Sequence, residues 1–274
     1  SEFKYPNIYD YYLNKDVKII NNSWNAESYP LSGLSVYLGT LTSTIESYIE
    51  DPYTPSKYLP SIKQNEAANA LMELAKKKKT LSVFAAGNEG IISPGLMGLI
   101  PYYDESMRSF ITVGALDSAN ITKNSDGKFE ISLLGATLYS NGLKGAYNFG
   151  LVAPGTNIKN VNGSYGEDIG ILFTKIDNDK YRKLSGTSMA TPMVTGAAAL
   201  VAEKFKFLDG KQIADVLLST ANRDYVAPKV VVKQTDTKTQ MYGKRFTVFY
   251  VDSEIPKKSD GSIDYDEVEM DVIR

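Results

Sequence analysis

The sequence has 274 residues, of which 43% are hydrophobic and 23% charged, with a net charge of −2 and neither cysteine nor histidine. This composition is typical of a globular protein with a sizeable core, and the near-neutral charge gives no electrostatic basis for binding nucleic acid or an anionic membrane surface. The lack of cysteine excludes disulfides and thiol catalysis within these residues, and no apolar run approaches the ~20 residues of a membrane span.

The first part of the chain predicts a helix and then a strand. Residues 5–14 favour a short helix, and residues 17–24 favour a β-strand whose last residues are polar. Such a change is typical of the carboxyl end of a parallel strand, where α/β proteins bind ligands, and equally of a plain strand end before a loop. Residues 25–60 are rich in Ser, Thr, Tyr, Gly and Pro and predict a long excursion with one helical piece at 36–49.

Helical and strand patterns then alternate. Small and apolar residues recur at the helical interval from Ala67 to Ala75, and lysines 76–79 follow where they complement the helix dipole. Next come buried strands at 81–86 and 110–115, a hairpin over 120–132 turning at Asp126-Gly127, and a strand over 147–155 that ends in a Pro-Gly turn. This alternation predicts an α/β fold, in which helices cover a mainly parallel sheet.

The segment Leu-Ser-Gly-Thr-Ser-Met-Ala-Thr-Pro at 184–192 leads directly into an apolar run that reaches residue 201. It predicts a tight turn that feeds a buried helix, with Pro192 in the first turn, where a missing N–H is tolerated. Ser188 is therefore predicted near a helix N-terminus, whose N–H groups favour the negative oxygen formed when a hydroxyl attacks a carbonyl. Gly-Thr-Ser before a helix is also the pattern of an ordinary N-cap.

The longer string Gly-Thr-Ser-Met-Ala-Thr-Pro at 186–192 resembles the nucleophile segment of the subtilisin-like serine peptidases, the subtilases. Further segments are similar to the family in the same order: Asn-Ser-Trp at 22–24, Ala-Ala-Gly-Asn at 85–88, Val-Gly-Ala at 113–115 and Val-Ala-Pro-Gly at 152–155. Several motifs in order are more specific than one, so residues 5–222 are identified as part of a subtilase. The resemblance implies the three-layer subtilisin-like fold, incomplete at its amino-terminal side.

The resemblance also implies roles for individual residues. Ser188 is implied as the nucleophile that forms an acyl-enzyme with a peptide carbonyl. Asn88 is implied as the side-chain donor to the oxyanion, beside the backbone N–H of Ser188. The implied substrate-binding residues are Ser23, Trp24 and Asn25 at a strand edge and Ala85, Ala86 and Gly87 on the opposite wall of the pocket. Asn25 departs from the family's usual glycine.

Subtilases carry the other two triad residues, an aspartate and a histidine, upstream of the strand that corresponds to residues 17–24. We expect both to precede this sequence, and an unassisted serine hydroxyl is a weak nucleophile. The resemblance therefore implies a fragment of a secreted or cell-surface serine endopeptidase, inactive alone, whose substrate is a protein or peptide. The alternatives are a catalytically inactive module that binds a peptide or partner protein, and a purely structural surface protein.

The composition changes after a predicted amphipathic helix at 211–220. Residues 230–234 and 245–251 alternate like strands, and the end of the chain is acidic, so we expect a catalytic domain over 1–224 and an appended β-rich tail over 225–274. Residues 260–267 resemble the second half of an EF-hand loop, but the upstream ligand positions fall on Pro256 and Lys258. We therefore interpret this segment as an acidic turn and expect no cofactor. A calcium-binding loop is the alternative interpretation.

The expected partner follows from the incomplete sheet. A parallel sheet without its first strands exposes an unpaired edge and part of an apolar face, which favours association. We expect an amino-terminal fragment, a second copy of the chain or the appended tail to complete the sheet. Neither nucleic acid nor a membrane span is expected.

Overall fold

The computed structural model describes residues 11–24, 66–88, 94–131, 139–143, 145–157, 170–175, 180–226, 229–233, 248–250, 259 and 267–270. The helices are α1 (Glu66–Lys78), α2 (Ile100–Tyr103), α3 (Thr187–Lys204) and α4 (Gly210–Thr220). The strands are β1 (Ile19–Asn22), β2 (Leu81–Ala85), β3 (Phe110–Asp117), β4 (Ile121–Lys123), β5 (Phe129–Ile131), β6 (Gly150–Thr156), β7 (Ile171–Thr174), β8 (Tyr181–Leu184), β9 (Tyr225–Val226), β10 (Lys229–Lys233), β11 (Val248–Tyr250) and β12 (Glu267–Met270).

Four of the described strands form the central sheet in the order β1-β2-β3-β6, and all three pairings are parallel. Every residue of β2 and β3 is buried, as expected for strands that are covered on both faces. The predicted parallel sheet is therefore confirmed, and β1 is its outer strand within the described part of the chain.

Helices pack on both faces of this sheet, which confirms the predicted α/β layers. On one face, α1 packs Leu71 and Leu74 into a core that contains the stacked rings of Phe84 and Phe110. On the other face, α3 and α4 pack against the alternate strand residues. This second core contains Val83, Ile111, Val113, Ala190, Val194, Ala198 and Ile213. Successive strand residues serve different cores because their side chains alternate across the sheet.

Two predictions about prolines were wrong. Pro154-Gly155 does not form a turn, because β6 continues through both residues to Thr156 with a shift of register opposite Leu116 and Asp117. Proline is tolerated there because β6 is the other outer strand of the described sheet. Pro192 is the sixth residue of α3, beyond the first turn, because the helix already begins at Thr187.

The hairpin predicted at Asp126-Gly127 is confirmed, since β4 and β5 are antiparallel and Gly127 has a φ of +80°. β7 and β8 form a further antiparallel hairpin that the sequence analysis did not predict. Strands predicted near 230–234 and 245–251 correspond to β10 and β11, which form a sheet with β12. The domain boundary at 224 stays a prediction.

Other predictions fall on the remainder of the chain. Of the first predicted helix, residues 11–13 are helical. The excursion over 25–60, its helical piece and the segment 260–266 lie outside the described residues. No helix in the described ranges is both long enough and apolar enough to cross a membrane.

Candidate active site

Three segments meet at the carboxyl end of the central sheet. Ser23 follows β1, and Asn88 follows β2. Gly186 is the N-cap of α3, whose first residues are Thr187 and Ser188. The carboxyl ends of parallel strands lie along one edge of a sheet, so residues far apart in sequence become neighbours there.

The hydroxyl of Ser188 points at the end of β1. Ser188 is the second residue of α3 and is partly buried. Its Oγ donates a hydrogen bond to the backbone oxygen of Ser23 over 3.0 Å. A backbone carbonyl accepts a hydrogen bond but does not remove the proton, so the hydroxyl in this arrangement remains neutral and weakly nucleophilic.

The side chain of Asn88 is oriented by Thr187. Asn88 Oδ1 accepts hydrogen bonds from the backbone N–H and the hydroxyl of Thr187, both over 2.9 Å. The Thr187 hydroxyl oxygen in turn accepts from the N–H of Gly87 over 3.2 Å. Because Thr187 occupies the amide oxygen, the Nδ2 group of Asn88 is the end that remains to donate elsewhere.

Two N–H donors border the space beside Gly186. A β-carbon placed on Gly186 would lie 3.4 Å from Asn88 Nδ2, 3.6 Å from Asn88 Oδ1 and 3.7 Å from Ser188 N. Gly186 has a φ of +152° and no side chain to fill this space. Backbone and side-chain N–H groups around one position are the arrangement that stabilises an oxyanion. The structure thus brings Ser188 and Asn88, which are 100 residues apart in sequence, to the same place.

Gly155 supports this turn from β6. Gly186 N donates to Gly155 O over 2.9 Å, and the hydroxyls of Thr156 and Ser185 are hydrogen-bonded over 2.7 Å. A β-carbon on Gly155 would lie 2.4 Å from Ala115 Cβ and 2.8 Å from Gly186 O. The glycine therefore permits close approach of β6 to the turn before Ser188. The motif Val-Ala-Pro-Gly at 152–155 contains this glycine, but the sequence alone assigned the motif no role.

The predicted pocket wall at Ala85, Ala86 and Gly87 is buried. Ala86 O accepts from Gly95 N and from Asn141 Nδ2, and Gly87 O accepts from Asn141 N. These backbone oxygens are thus engaged within the protein. Asn141 holds the segment that carries Asn88, and no local sequence signal had identified it.

The remaining predicted substrate-binding residues are at the end of β1. Ser23 contacts Ser188 as described, and Trp24 packs edge-on against Phe84 with ring centroids 5.7 Å apart. Asn25 lies outside the described residues. The binding of substrate by any of these residues stays a prediction.

No group of three His, Cys, Asp or Glu side chains in the described part of the chain is arranged to hold a metal ion. Most of the acidic segment at 260–267, where calcium was weighed, is outside that part. Calcium binding there stays untested.

Comparisons with known proteins agree with the motifs. Residues 4–246 match the model of the subtilase family. The chain is 30% identical to serotype-specific antigen 1 of Mannheimia haemolytica over 217 residues, covering 76% of this chain and 18% of that protein. It is 34% identical to subtilisin DY of Bacillus licheniformis over 142 residues, covering 51% of this chain and 38% of that protein.

Two further matches have lower sequence identity. An extracellular serine protease of Serratia marcescens is 27% identical over 165 residues, covering 57% of this chain and 14% of that protein. The structure of the self-cleaved protease domain of PatA has 21% identity and a TM-score of 0.49, covering 81% of this chain and 62% of that one. The chain thus spans less than half the length of each of these three curated relatives.

Proposed function

The chain belongs to the subtilase family, and on this premise we propose that it is part of a serine endopeptidase that hydrolyses peptide bonds through an acyl-enzyme on Ser188. The observation that carries the proposal is the grouping around Gly186, where the position of an added β-carbon lies near two N–H donors, Asn88 Nδ2 and the backbone N of Ser188. Ser188 also carries the hydroxyl that is the proposed nucleophile.

The chemistry has two steps. Ser188 Oγ attacks the carbonyl carbon of the scissile peptide bond, and the resulting oxyanion accepts hydrogen bonds from Ser188 N and Asn88 Nδ2. Collapse breaks the C–N bond, and the proton from the serine passes to the leaving amine. Water then attacks the ester, which releases a carboxylic acid and restores the hydroxyl. The N-terminus of α3 adds a positive electrostatic potential at the oxyanion.

The proposal requires a base from elsewhere, because the 274 residues contain no histidine. We place the histidine and its orienting aspartate on a segment outside this sequence that covers the edge of β1, the outer strand of the sheet among the described residues. The small share of each relative that the chain spans is consistent with such a segment.

The exposed apolar residues on the outer face of α3 support the proposal that a partner covers this face. Met193, Ala197 and Leu200 are exposed on this face, and the helix carries no charged residue before Glu203. A helix that is apolar all round is normally buried on all sides. The proposed partner is the amino-terminal part of the same protein, with a second copy of the chain as the alternative.

The proposed substrate is a protein or peptide, and the proposed location is outside the cell or on its surface. The family assignment and the extracellular protease among the relatives support this location.

A reactive-serine probe tests the proposal. A fluorophosphonate should label the full-length protein at Ser188 and leave the 274-residue chain unlabelled, because only the former has a base. The matched control is Ser188→Ala in the full-length protein, which should remove labelling. A folded full-length protein that is not labelled, or is labelled elsewhere, would contradict the proposal.

The second candidate is an inactive module that binds a peptide or partner protein. It is favoured by the hydrogen bond from Ser188 to the carbonyl of Ser23, since that bond engages the hydroxyl without activating it. The same labelling experiment separates the candidates, because a binding module stays unlabelled in every form of the protein.

A further inference from the structure

A chain of side-chain hydrogen bonds joins β1 to α3 beside Ser188. Thr195 Oγ1 donates to Asn21 Oδ1 over 2.9 Å, and Asn21 Nδ2 donates to Ser23 Oγ over 2.8 Å. Ser23 is also the residue whose backbone oxygen accepts from Ser188. Helix α3 therefore holds Ser23 in two ways, through its backbone by Ser188 and through its side chain by Asn21 and Thr195.

The geometry makes these contacts a closed ring. Thr195 follows Ser188 by two helical turns, so both project from the same flank of α3. Asn21 and Ser23 are two residues apart, a spacing that places side chains on the same side of an extended chain. The ring runs along the helix, crosses to Asn21, continues to Ser23 and returns to Ser188. It sets the separation of the strand end from the helix.

The need to satisfy buried polar groups does not explain these hydrogen bonds. Thr195 Oγ1 also lies 3.0 Å from Thr191 O, an acceptor that could satisfy the hydroxyl alone. Thr191 already bonds to Thr187 O in that way over 2.8 Å. Asn21 is exposed, so water could satisfy its amide. The bond between Thr195 and Asn21 is thus not needed to satisfy either group.

We infer that Asn21 and Thr195 are positioning residues for the reaction, which act through Ser23 to fix the strand end relative to Ser188. This inference rests on the proposed function. The same bonds set the orientation of the hydroxyl and the strand edge predicted to bind substrate. Small displacements matter at such a site, because misplacement by about 1 Å costs on the order of 10²-fold in rate.

Paired variants of the full-length protein test the inference. Thr195→Val removes the hydroxyl and keeps the side-chain shape, whereas Thr195→Ser keeps the hydroxyl. We expect Thr195→Val and Asn21→Ala to lower kcat for a peptide substrate by about 10-fold, within the range that misplacement produces. KM should change little, and Thr195→Ser should retain the rate. Thr220→Val is the matched control, because it removes a similar helical hydroxyl, bonded to Val216 O, at the end of a different helix, α4.

A double substitution tests whether Thr195 acts through the side chain of Ser23. Ser23→Ala removes the acceptor of Asn21 but keeps the backbone oxygen, so adding it to Thr195→Val should cause no further loss if both act through one chain of bonds. Melting curves confirm that each variant is folded. Equal rates for Thr195→Val and Thr195→Ser would overturn this inference and leave the proposed function standing. A full-length parent that neither hydrolyses peptides nor reacts with a fluorophosphonate would overturn the proposed function and the inference together.

Discussion

Thr187 fixes the amide of Asn88 by donating two hydrogen bonds of 2.9 Å, one from its backbone N–H and one from its hydroxyl, to the same oxygen. A carboxamide has one accepting and one donating end. The contact therefore determines which end of Asn88 faces Thr187 and leaves the N–H₂ group available to a developing oxyanion.

Replacement of Asn88 should separate the hydrogen bonds it accepts from Thr187 from the hydrogen bond it donates to the oxyanion. In the full-length protein, Asn88→Asp keeps an oxygen that accepts from Thr187 but loses the donor, and Asn88→Ala loses both. We expect both to lower kcat by about 10²–10³, the typical cost of a lost oxyanion donor. Peptide hydrolysis measures the rates, and thermal unfolding should show Asn88→Asp to be the more stable of the two. A rate for Asn88→Asp close to that of the parent would contradict the role of Asn88.

Much of the central fold follows from periodicity in the sequence. The helical spacing of Leu71 and Leu74 and the apolar run at 81–85 predict α1 and β2, because burial on a sheet needs those spacings. The hairpin β7 to β8 was missed, since all four residues of β8 are exposed and carry no alternating pattern. Its pairing depends on cross-strand contacts, which local sequence does not show.

The residues of the site could be predicted from the sequence only in part. Gly-Thr-Ser and Ala-Ala-Gly-Asn identified Ser188 and Asn88 through resemblance, and the structure brings both to Gly186. The hydrogen bond between Asn21 and Thr195 joins residues 174 positions apart. No local pattern encodes such a contact, because it depends on how α3 lies across the sheet.

Gly155→Ala should destabilise the protein, because the added methyl group would meet Ala115 Cβ at 2.4 Å and the backbone oxygen of Gly186 at 2.8 Å. Forced overpacking costs about 1–3 kcal/mol. Chemical unfolding of the 274-residue chain measures this change.

The matched control for that substitution is Gly196→Ala in α3. Apart from its chain neighbours and the backbone of α3 itself, no atom lies within 4 Å of a β-carbon at Gly196, so alanine should raise the free energy of unfolding by about 0.5–1 kcal/mol through helix propensity. Equal effects of the two substitutions would show that β6 does not need close approach at Gly155.

Asp209 should make stability depend on pH in the acid range. Burial acts to raise the pKa of this carboxyl, but the Gln212 N–H and the Lys79 ammonium outweigh it, so the pKa lies below its ordinary value of 3.8. A lowered folded-state pKa means that the carboxylate stabilises the fold above 3.8 and that this contribution is lost as the pH falls through the folded-state pKa.

Substitution of the cap tests this sign. Asp209 accepts from Gln212 N as the N-cap of α4. Asp209→Ala should cost about 1 kcal/mol at neutral pH, and the difference from the parent should shrink in acid. Urea unfolding at several pH values measures it. Asp209→Asn is the control, since it keeps a cap without a charge. A difference between Asp209→Ala and the parent that grows in acid would contradict the assigned sign.

Leu200 should drive association of the 274-residue chain, because this residue is 67% exposed on the apolar outer face of α3. Exposed apolar patches favour self-association when their partner is absent. We expect the parent to sediment as an oligomer and Leu200→Glu to shift it towards monomer, as measured by sedimentation velocity. Leu172→Glu is the matched control, since Leu172 is 60% exposed on β7. A monomeric parent, or equal effects of the two substitutions, would show that the outer face of α3 needs no covering partner.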